Sequence, residues 1–426
     1  MRCFAALLLL AGVAGAAEPR TITLKEAVDL ALRQNPDVVL ARLDAQKAEL
    51  QIQATKEPLL PRLVAGSGMA YTYGMPMSVE GSAPTVVQAR GIRSIYSGPQ
   101  RHLTGMAREE ATAAAAGAEI VQEDIALRTA LLYLDLEQAH RSARLAQGQL
   151  ESLQRIEAVV RLRVEEGREL PIEGKRAAVN VARARQRAAA LQSARRAYAQ
   201  SLALVLGLPP GQDLLPAAEP RPAPVLPESE EDAVRSALAQ HPEIARLEAS
   251  IRARGREEQA HRAARQPKID LLAQYGLLAR FNNYDQFFNR FQRHNFQLGA
   301  SFAIPLFAHP ADVARASQAS IEGRRLRTEL DRTRDRIEGG ARGAWRQVED
   351  AGLALEVARA DLELARDQVS LLLAQSGEGR ATLAQLERAR VVESERWMAL
   401  HEAQAALERA RLELLRQANR LTASLP

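Results

Sequence analysis

The chain has 426 residues, 46% hydrophobic and 26% charged, enough to build a core and too charged for a polytopic helical membrane protein. Aromatics are only 4%, low for a β-sandwich or an α/β enzyme and ordinary for helices rich in Ala, Leu, Arg and Glu. The net charge of +5 comes without a basic stripe interleaved with stacking aromatics, which argues against a nucleic-acid partner. The single cysteine, Cys3, excludes a disulfide framework, a cysteine zinc site and an iron–sulfur cluster.

Met1-Arg2 gives a short positive start, Phe4 to Val13 an apolar run, and Ala14-Gly15-Ala16 small residues before the polar Glu18-Pro19-Arg20. This pattern predicts a secretory signal peptide over residues 1–17, too short to persist as a membrane helix. Cys3 precedes the apolar run and would leave with it, so the mature chain is expected to lack both cysteine and lipid anchor. No later stretch reaches the roughly 18 uninterrupted apolar residues of a membrane helix. Any membrane residence must therefore use another architecture.

Thr23, followed three residues later by Glu26, predicts a capped short helix, and a longer helix follows Asn35-Pro36. Tyr71 and Tyr73 fall in a first strand window. A second lies near Thr85 to Tyr96, where Arg90 and Arg93 point to opposite faces. Gln100 to Val164 reads as a very long helix that turns at Glu166-Gly167-Arg168 and returns as another. Pro209 to Asp232 then holds seven prolines, which rules out helix interior and central strand and predicts an extended connector around the outside.

The second half rewrites the first. Ala27-Val28, Ala31-Leu32, Gln34 and Pro36 recur as Ala233-Val234, Ala237-Leu238, Gln240 and Pro242, a constant offset of 206 that also carries Pro61-Arg62-Leu63 onto Pro267-Lys268-Ile269. Ser229 with Asp232 repeats the cap. Glu166-Gly167-Arg168 recurs as Glu378-Gly379-Arg380, and Arg176-Ala177 as Arg388-Ala389, both at offset 212. Matches in the same order point to internal duplication. The expected organisation is a leader at 1–17, a first repeat at 18–208, a Pro-rich linker at 209–228 and a second repeat at 229–426.

In the second half, Ile269, Leu271, Ala273, Tyr275 and Leu277 alternate with residues that include Asp270 and Gln274. Phe296, Leu298, Ala300, Phe302 and Ile304 alternate with Gln297, Gly299, Ser301 and Ala303. Period two over about ten residues suits a tilted membrane strand, although a half-buried soluble strand reads alike. Nine of the 17 aromatics lie between Tyr275 and Phe307, a concentration suited to an interfacial girdle. Its expected members are Tyr71, Tyr73, Tyr96, Tyr275, Phe281, Phe296, Phe302 and Phe307. Four such strands cannot close a barrel, and open edges in lipid leave backbone groups unpaired, so several chains would have to share one.

The long helix windows, Gln100 to Val164 and Pro310 to Gln375, each allow about 65 residues, roughly 100 Å at 1.5 Å per residue. In the second of them Leu353, Val357, Ala360, Leu364 and Leu371 form one apolar seam. Leu355, Ala358, Leu362, Ala365, Val369 and Leu372 form another on the opposite side. Two seams suit a helix wedged between neighbours in a ring. A bundle helix with one broad apolar face is the plainer reading.

Chemistry is sparse. The sequence holds no glycine-rich phosphate loop, so energy would come from a partner. The seven histidines lack zinc-ligand spacing, and no nucleophile elbow is present. Neither enzyme activity nor a cofactor or metal is expected.

The order of parts resembles the TolC-type outer-membrane efflux protein family over essentially the whole mature chain. The motifs that carry it are Thr23-Leu24-Lys25-Glu26-Ala27 through Asn35-Pro36, and Phe302-Ala303-Ile304-Pro305-Leu306-Phe307 before an Ala-rich helix. Gly167 with Glu173 and Ala177, and Gly379 with Ala389, add to them. The resemblance implies a mainly α fold with a small membrane β part: duplicated long-helix hairpins forming an α-helical barrel, and four strands per chain in a shared 12-strand barrel of a homotrimer. It also implies a Gram-negative outer-membrane location and a passive duct reaching through the periplasm. The lower end would dock onto a periplasmic adaptor (membrane fusion protein) and an inner-membrane pump, as in tripartite efflux or type I secretion. Tip or docking residues would be Glu166, Gly167, Arg168, Glu173, Glu378, Gly379, Arg380 and Gln385. Glu173 matches an acidic tip position, whereas its counterpart Gln385 and nearby Arg388 are not acidic. Arg168 and Arg380 would bind adaptor carboxylates or latch the tips through Glu166 and Glu378; solvated hairpin charges are the plainer reading of each. A periplasmic adaptor subunit or a coiled-coil scaffold is the alternative.

Overall fold

The computed structural model describes residues 20–68, 85–209, 211–217, 224–239, 241–279, 292–307, 309–378 and 380–424. The expected leader, Tyr71, Tyr73, Phe281 and Gly379 lie outside the described residues.

The element order runs twice through one plan. The first pass is β1 (Arg20–Ile22), α1 (Leu24–Gln34), α2 (Pro36–Lys56), β2 (Arg62–Gly68), β3 (Thr85–Ser97), α3 (Gly98–Glu165) and α4 (Pro171–Val205). The second is β4 (Leu214–Pro216), α5 (Glu230–Ala239), α6 (Pro242–Arg262), β5 (Lys268–Leu278), β6 (His294–Ala303), α7 (Pro310–Gly377) and α8 (Leu383–Gln417), closed by α9 (Leu421–Ser424). Three corresponding pairs of helices have the same length: α2 and α6 have 21 residues each, α3 and α7 have 68, α4 and α8 have 35, while α1 has 11 and α5 has 10.

The chain divides into two compact units. One holds residues 41–119 and 242–334, the other residues 1–40, 120–241 and 335–426.

In the unit of residues 41–119 and 242–334, four strands form an antiparallel sheet in the order β2-β3-β5-β6. The helices attached to these strands keep that order. Gln100 of α3 donates a side-chain hydrogen bond to the Thr55 carbonyl of α2. Arg252 of α6 meets Glu109 of α3 at 2.7 Å, and Arg334 of α7 meets Glu248 of α6 at 2.9 Å. Arg254 of α6 bridges Glu110 of α3 and Glu257.

The other unit holds the larger core. Thr23 caps α1 in a reciprocal capping box with Glu26, which fixes the helix start and aims Ala27, Val28 and Ala31 inward. They pack with Ile125, Ala126, Ala130, Leu134 and Leu136 of α3, Leu202 and Val205 of α4, Leu412 and Leu415 of α8, and Leu421 of α9. Alanines at these positions let the helices approach closely. Asn35 caps α2 by accepting the Asp37 N–H and donates to the Val205 carbonyl, both at 2.9 Å. Gly207 turns the chain after α4 at φ 68°, and an added Cβ there would meet the Gln34 carbonyl oxygen at 3.1 Å.

The proline-rich connector is tied in more firmly than an outer wrap. Leu214–Pro216 pairs in parallel with Arg20–Ile22, and Leu214 is fully buried. The two terminal nitrogens of the buried Arg195 guanidinium donate to the two carboxylate oxygens of Asp213 at 3.1 and 3.0 Å. Proline excludes regular ladders, but three residues of strand and one forked ion pair suffice to anchor the segment.

Candidate functional site

The sheet sorts its side chains by chemistry. Directly paired residues share a face in an antiparallel ladder. Ile269, Leu271, Ala273, Tyr275 and Leu277 of β5 stand opposite Phe302, Ala300, Leu298, Phe296 and His294 of β6. The other face carries Asp270 with Ser301, Leu272 with Gly299, Gln274 with Gln297, and Gly276 with Asn295. One face is apolar and aromatic, the other small and polar.

The same rows continue onto β3. Ala89 pairs with Tyr275, Gly91 with Ala273 and Arg93 with Leu271, so Arg93 stands on the apolar face; Arg90 pairs with Gln274 on the polar one. A register shift between Ser94 and Tyr96 returns Tyr96 to the row of Ile269 and Phe302. Two aromatic rows result, Tyr96 with Phe302 and Tyr275 with Phe296. They lie six residues apart, about 20 Å along a strand at 3.4 Å per residue. Tyr275 also meets His294 Nδ1 through its hydroxyl at 2.7 Å, and Arg101 lies 6.0 Å from the Tyr96 ring centroid. Phe296, Leu298 and Phe302 are 69%, 67% and 63% exposed, and Phe307, beyond β6, is 87% exposed. In water such a face is unfavourable; it needs lipid or protein against it.

The hairpin ends are built from turn chemistry. At the first, Gly167 has φ 70°, and the Arg168 N–H reaches back to the Arg163 carbonyl at 2.8 Å, a Schellman closure. Pro171 then starts α4, where its missing N–H leaves nothing unsatisfied. Glu173 pairs with Arg176 on the first turn. At the second end the Arg380 N–H reaches the Gln375 carbonyl at 2.9 Å, and α8 starts on Thr382. Gln385, compared from sequence with the acidic Glu173, is the capping partner of Thr382. Its amide oxygen accepts the Thr382 N–H at 2.8 Å and its own N–H goes to Thr382 Oγ1 at 3.3 Å. The spacing T-x-x-Q was the legible signal for this box.

Both tips hold the same short ion pair, Arg168 to Glu166 at 3.1 Å and Arg380 to Glu378 at 3.2 Å. All four side chains are exposed, so each pair adds little stability. Nearby on α8, burial pushes the Glu387 carboxyl up against the opposing pull of Arg390.

The two seams of α7 have different fates. Leu355 and Leu362 are 7% and 3% exposed and pack on Leu400, Leu407 and Trp397 of α8. Leu353, Val357, Leu364 and Leu371 are 58–63% exposed. One seam is used within the chain and the other is free.

Solved structures share this fold across nearly the whole chain. The outer membrane channel CmeC of Campylobacter jejuni superposes with a TM-score of 0.77 at 16% identity, covering 93% of this chain and 86% of that one. The open-state MtrE outer membrane channel of Neisseria gonorrhoeae gives 0.71 at 18% identity, covering 94% and 89%. A membrane protein from Pseudomonas aeruginosa gives 0.74 at 18%, covering 93% and 92%. Among curated proteins none matches. Residues 27–208, α1 through the end of α4, match the family described as outer membrane efflux protein. That match spans less than half of the chain, and makes its first repeat similar to outer membrane efflux proteins. The solved structures that it resembles over nearly its whole length include outer membrane channels, and at these identities they show the fold.

Proposed function

We propose that the protein is the passive outer-membrane duct of a tripartite efflux or type I secretion system, assembled as a homotrimer. The observation that carries this reading is the open sheet with its apolar face outward. β2 and β6 are edge strands, each hydrogen-bonded on one side within the chain. In lipid every unpaired backbone group on such an edge costs several kcal/mol. Strand direction alternates along the sheet, so β6 of one copy can continue antiparallel into β2 of the next, and three copies close 12 strands. The rows of Tyr96 with Phe302 and of Tyr275 with Phe296 then act as girdle residues at the lipid boundary. The free seam of α7 packs on a neighbouring copy.

The tips serve docking and gating. Glu166, Gly167, Arg168 and Glu173, with Glu378, Gly379, Arg380 and Gln385, meet a periplasmic adaptor that links the duct to an inner-membrane pump. Solutes move passively; the pump supplies the energy.

Extraction of separated outer membranes with detergent, followed by native mass, tests the assembly. A detergent-dependent particle of three mature chains is the expected result. A monomer in the soluble fraction would remove the shared barrel and return the helices to an adaptor or scaffold.

A further inference from the structure

The polar face of the sheet carries charge that a passive duct leaves without a role. Register puts Arg90, Gln274 and Gln297 in one row across three strands. Gly276 stands in the row toward the loops, where an added Cβ would meet Thr85 Cγ2 at 3.2 Å, and Gly299 in the row toward the helices; nothing lies within 4 Å of a Cβ built at Gly299 or at Gly66 of β2. Arg90 itself is half-buried, with Val64 of β2 paired beside it in the row.

Its charge is also uncompensated. Asp270, two rows away, is the carboxylate of this face among the described strand residues, and Lys268 holds it at 3.0 Å. Arg90 Nε is buried without a hydrogen-bond partner. Arg62, at the helix end of β2, shares the face with Ile92 and adds a second cation. The opposite face needs no such accounting: its Arg93 stands beside Leu271, away from the polar row.

We infer that the polar face makes the outer-membrane mouth of the duct favour anionic solutes, those bearing carboxylate, phosphate or sulfonate groups, with Arg90 as the residue that sets the preference. The inference rests on the three-copy barrel proposed above. Three copies place three Arg90 side chains around one water-filled lumen, where their potentials add. The low-dielectric wall focuses that field and raises the local concentration of anions. Substitutions on a lumen face tune selectivity in barrels of this kind.

Thiol labelling tests this without depending on the state of the helical tips. The only cysteine in the sequence is Cys3, so Gln274→Cys provides a reporter in the Arg90 row and Leu298→Cys a control on the apolar face. Outer-membrane vesicles are treated at low salt with methanethiosulfonates bearing either a sulfonate or a trimethylammonium group, each rate normalised to a free thiol. The anionic reagent is expected to lead by about five-fold at Gln274→Cys, with the lead shrinking as salt rises. Adding Arg90→Gln brings the ratio toward unity and Arg90→Glu inverts it, while Leu298→Cys reacts with neither reagent. Equal rates with Arg90 present, or a ratio that Arg90→Glu leaves unchanged, overturn the anion preference and leave the barrel standing. No labelling of Gln274→Cys in trimeric protein overturns the barrel and the preference together.

Discussion

Arg90 and Arg93 lie three residues apart on one strand, and parity alone gives them opposite surroundings. Arg93 stands one row from the helix end of the sheet, level with Leu271 and Ala300 and next to the row of Tyr96 and Phe302. From there a long side chain can lay its stem along apolar surface and bring its charge to the lipid headgroups. A different residue-scale device operates at Glu123 of α3. Burial raises its carboxyl above the ordinary glutamate range, while the Thr422 hydroxyl, donating at 2.6 Å, and Arg416 pull it down. Between the ordinary range and the raised value the folded chain binds more protons than the unfolded one, so stability falls as pH rises through that window. Glu123→Gln keeps an acceptor for Thr422 without the charge. It is expected to raise the melting temperature at neutral pH and to flatten its fall as pH rises above the ordinary glutamate range. A steeper dependence in the variant would contradict the burial argument.

At the scale of elements, duplication has preserved lengths and changed the chemistry of the ends. α4 starts on Pro171 with no side-chain cap, whereas α8 starts on the Thr382–Gln385 capping box. Thr382→Ala is therefore expected to cost about 1 kcal/mol. Hydrogen exchange should read this as faster amide loss in the first turn of α8, with the first turn of α4 unchanged. Gln385, the counterpart of Glu173 at the second tip, closes the Thr382 capping box through its side chain and its backbone. The exposed Arg168–Glu166 and Arg380–Glu378 pairs are likewise too weakly held to stabilise the hairpins.

At the scale of the whole molecule, the three-copy assembly proposed above gives the two seams of α7 separate roles in folding and in assembly. Leu362→Ala in the buried seam is expected to cost about 2–5 kcal/mol, because it leaves a cavity beside Leu400 and Leu407. Leu364→Glu in the exposed seam should leave the fold of the single chain nearly unchanged and shift the native mass from three chains toward one. Loss of assembly in the first variant alone, with the second still trimeric, would place the subunit contact elsewhere.

Much of this was legible because it is local. Capping spacing marked α1, and alternation marked β5 and β6. The offsets of 206 and 212 revealed the duplication, and Gly167 marked the first tip through the positive φ its turn requires. Helix lengths followed from uninterrupted apolar periodicity. What the sequence left undecided depends on pairing between distant segments. A strand pattern does not say which strand lies beside it, so the order β2-β3-β5-β6 and the row joining Arg90 to Gln274 and Gln297 required tertiary register. Two seams on one helix look alike in sequence, and packing of α8 decided which one is covered. The burial of Leu214 and the clasp of Arg195 on Asp213 had no local signature in a proline-rich stretch. Contacts made across long loops depend on where the chain returns, and the residues in between do not encode that individually.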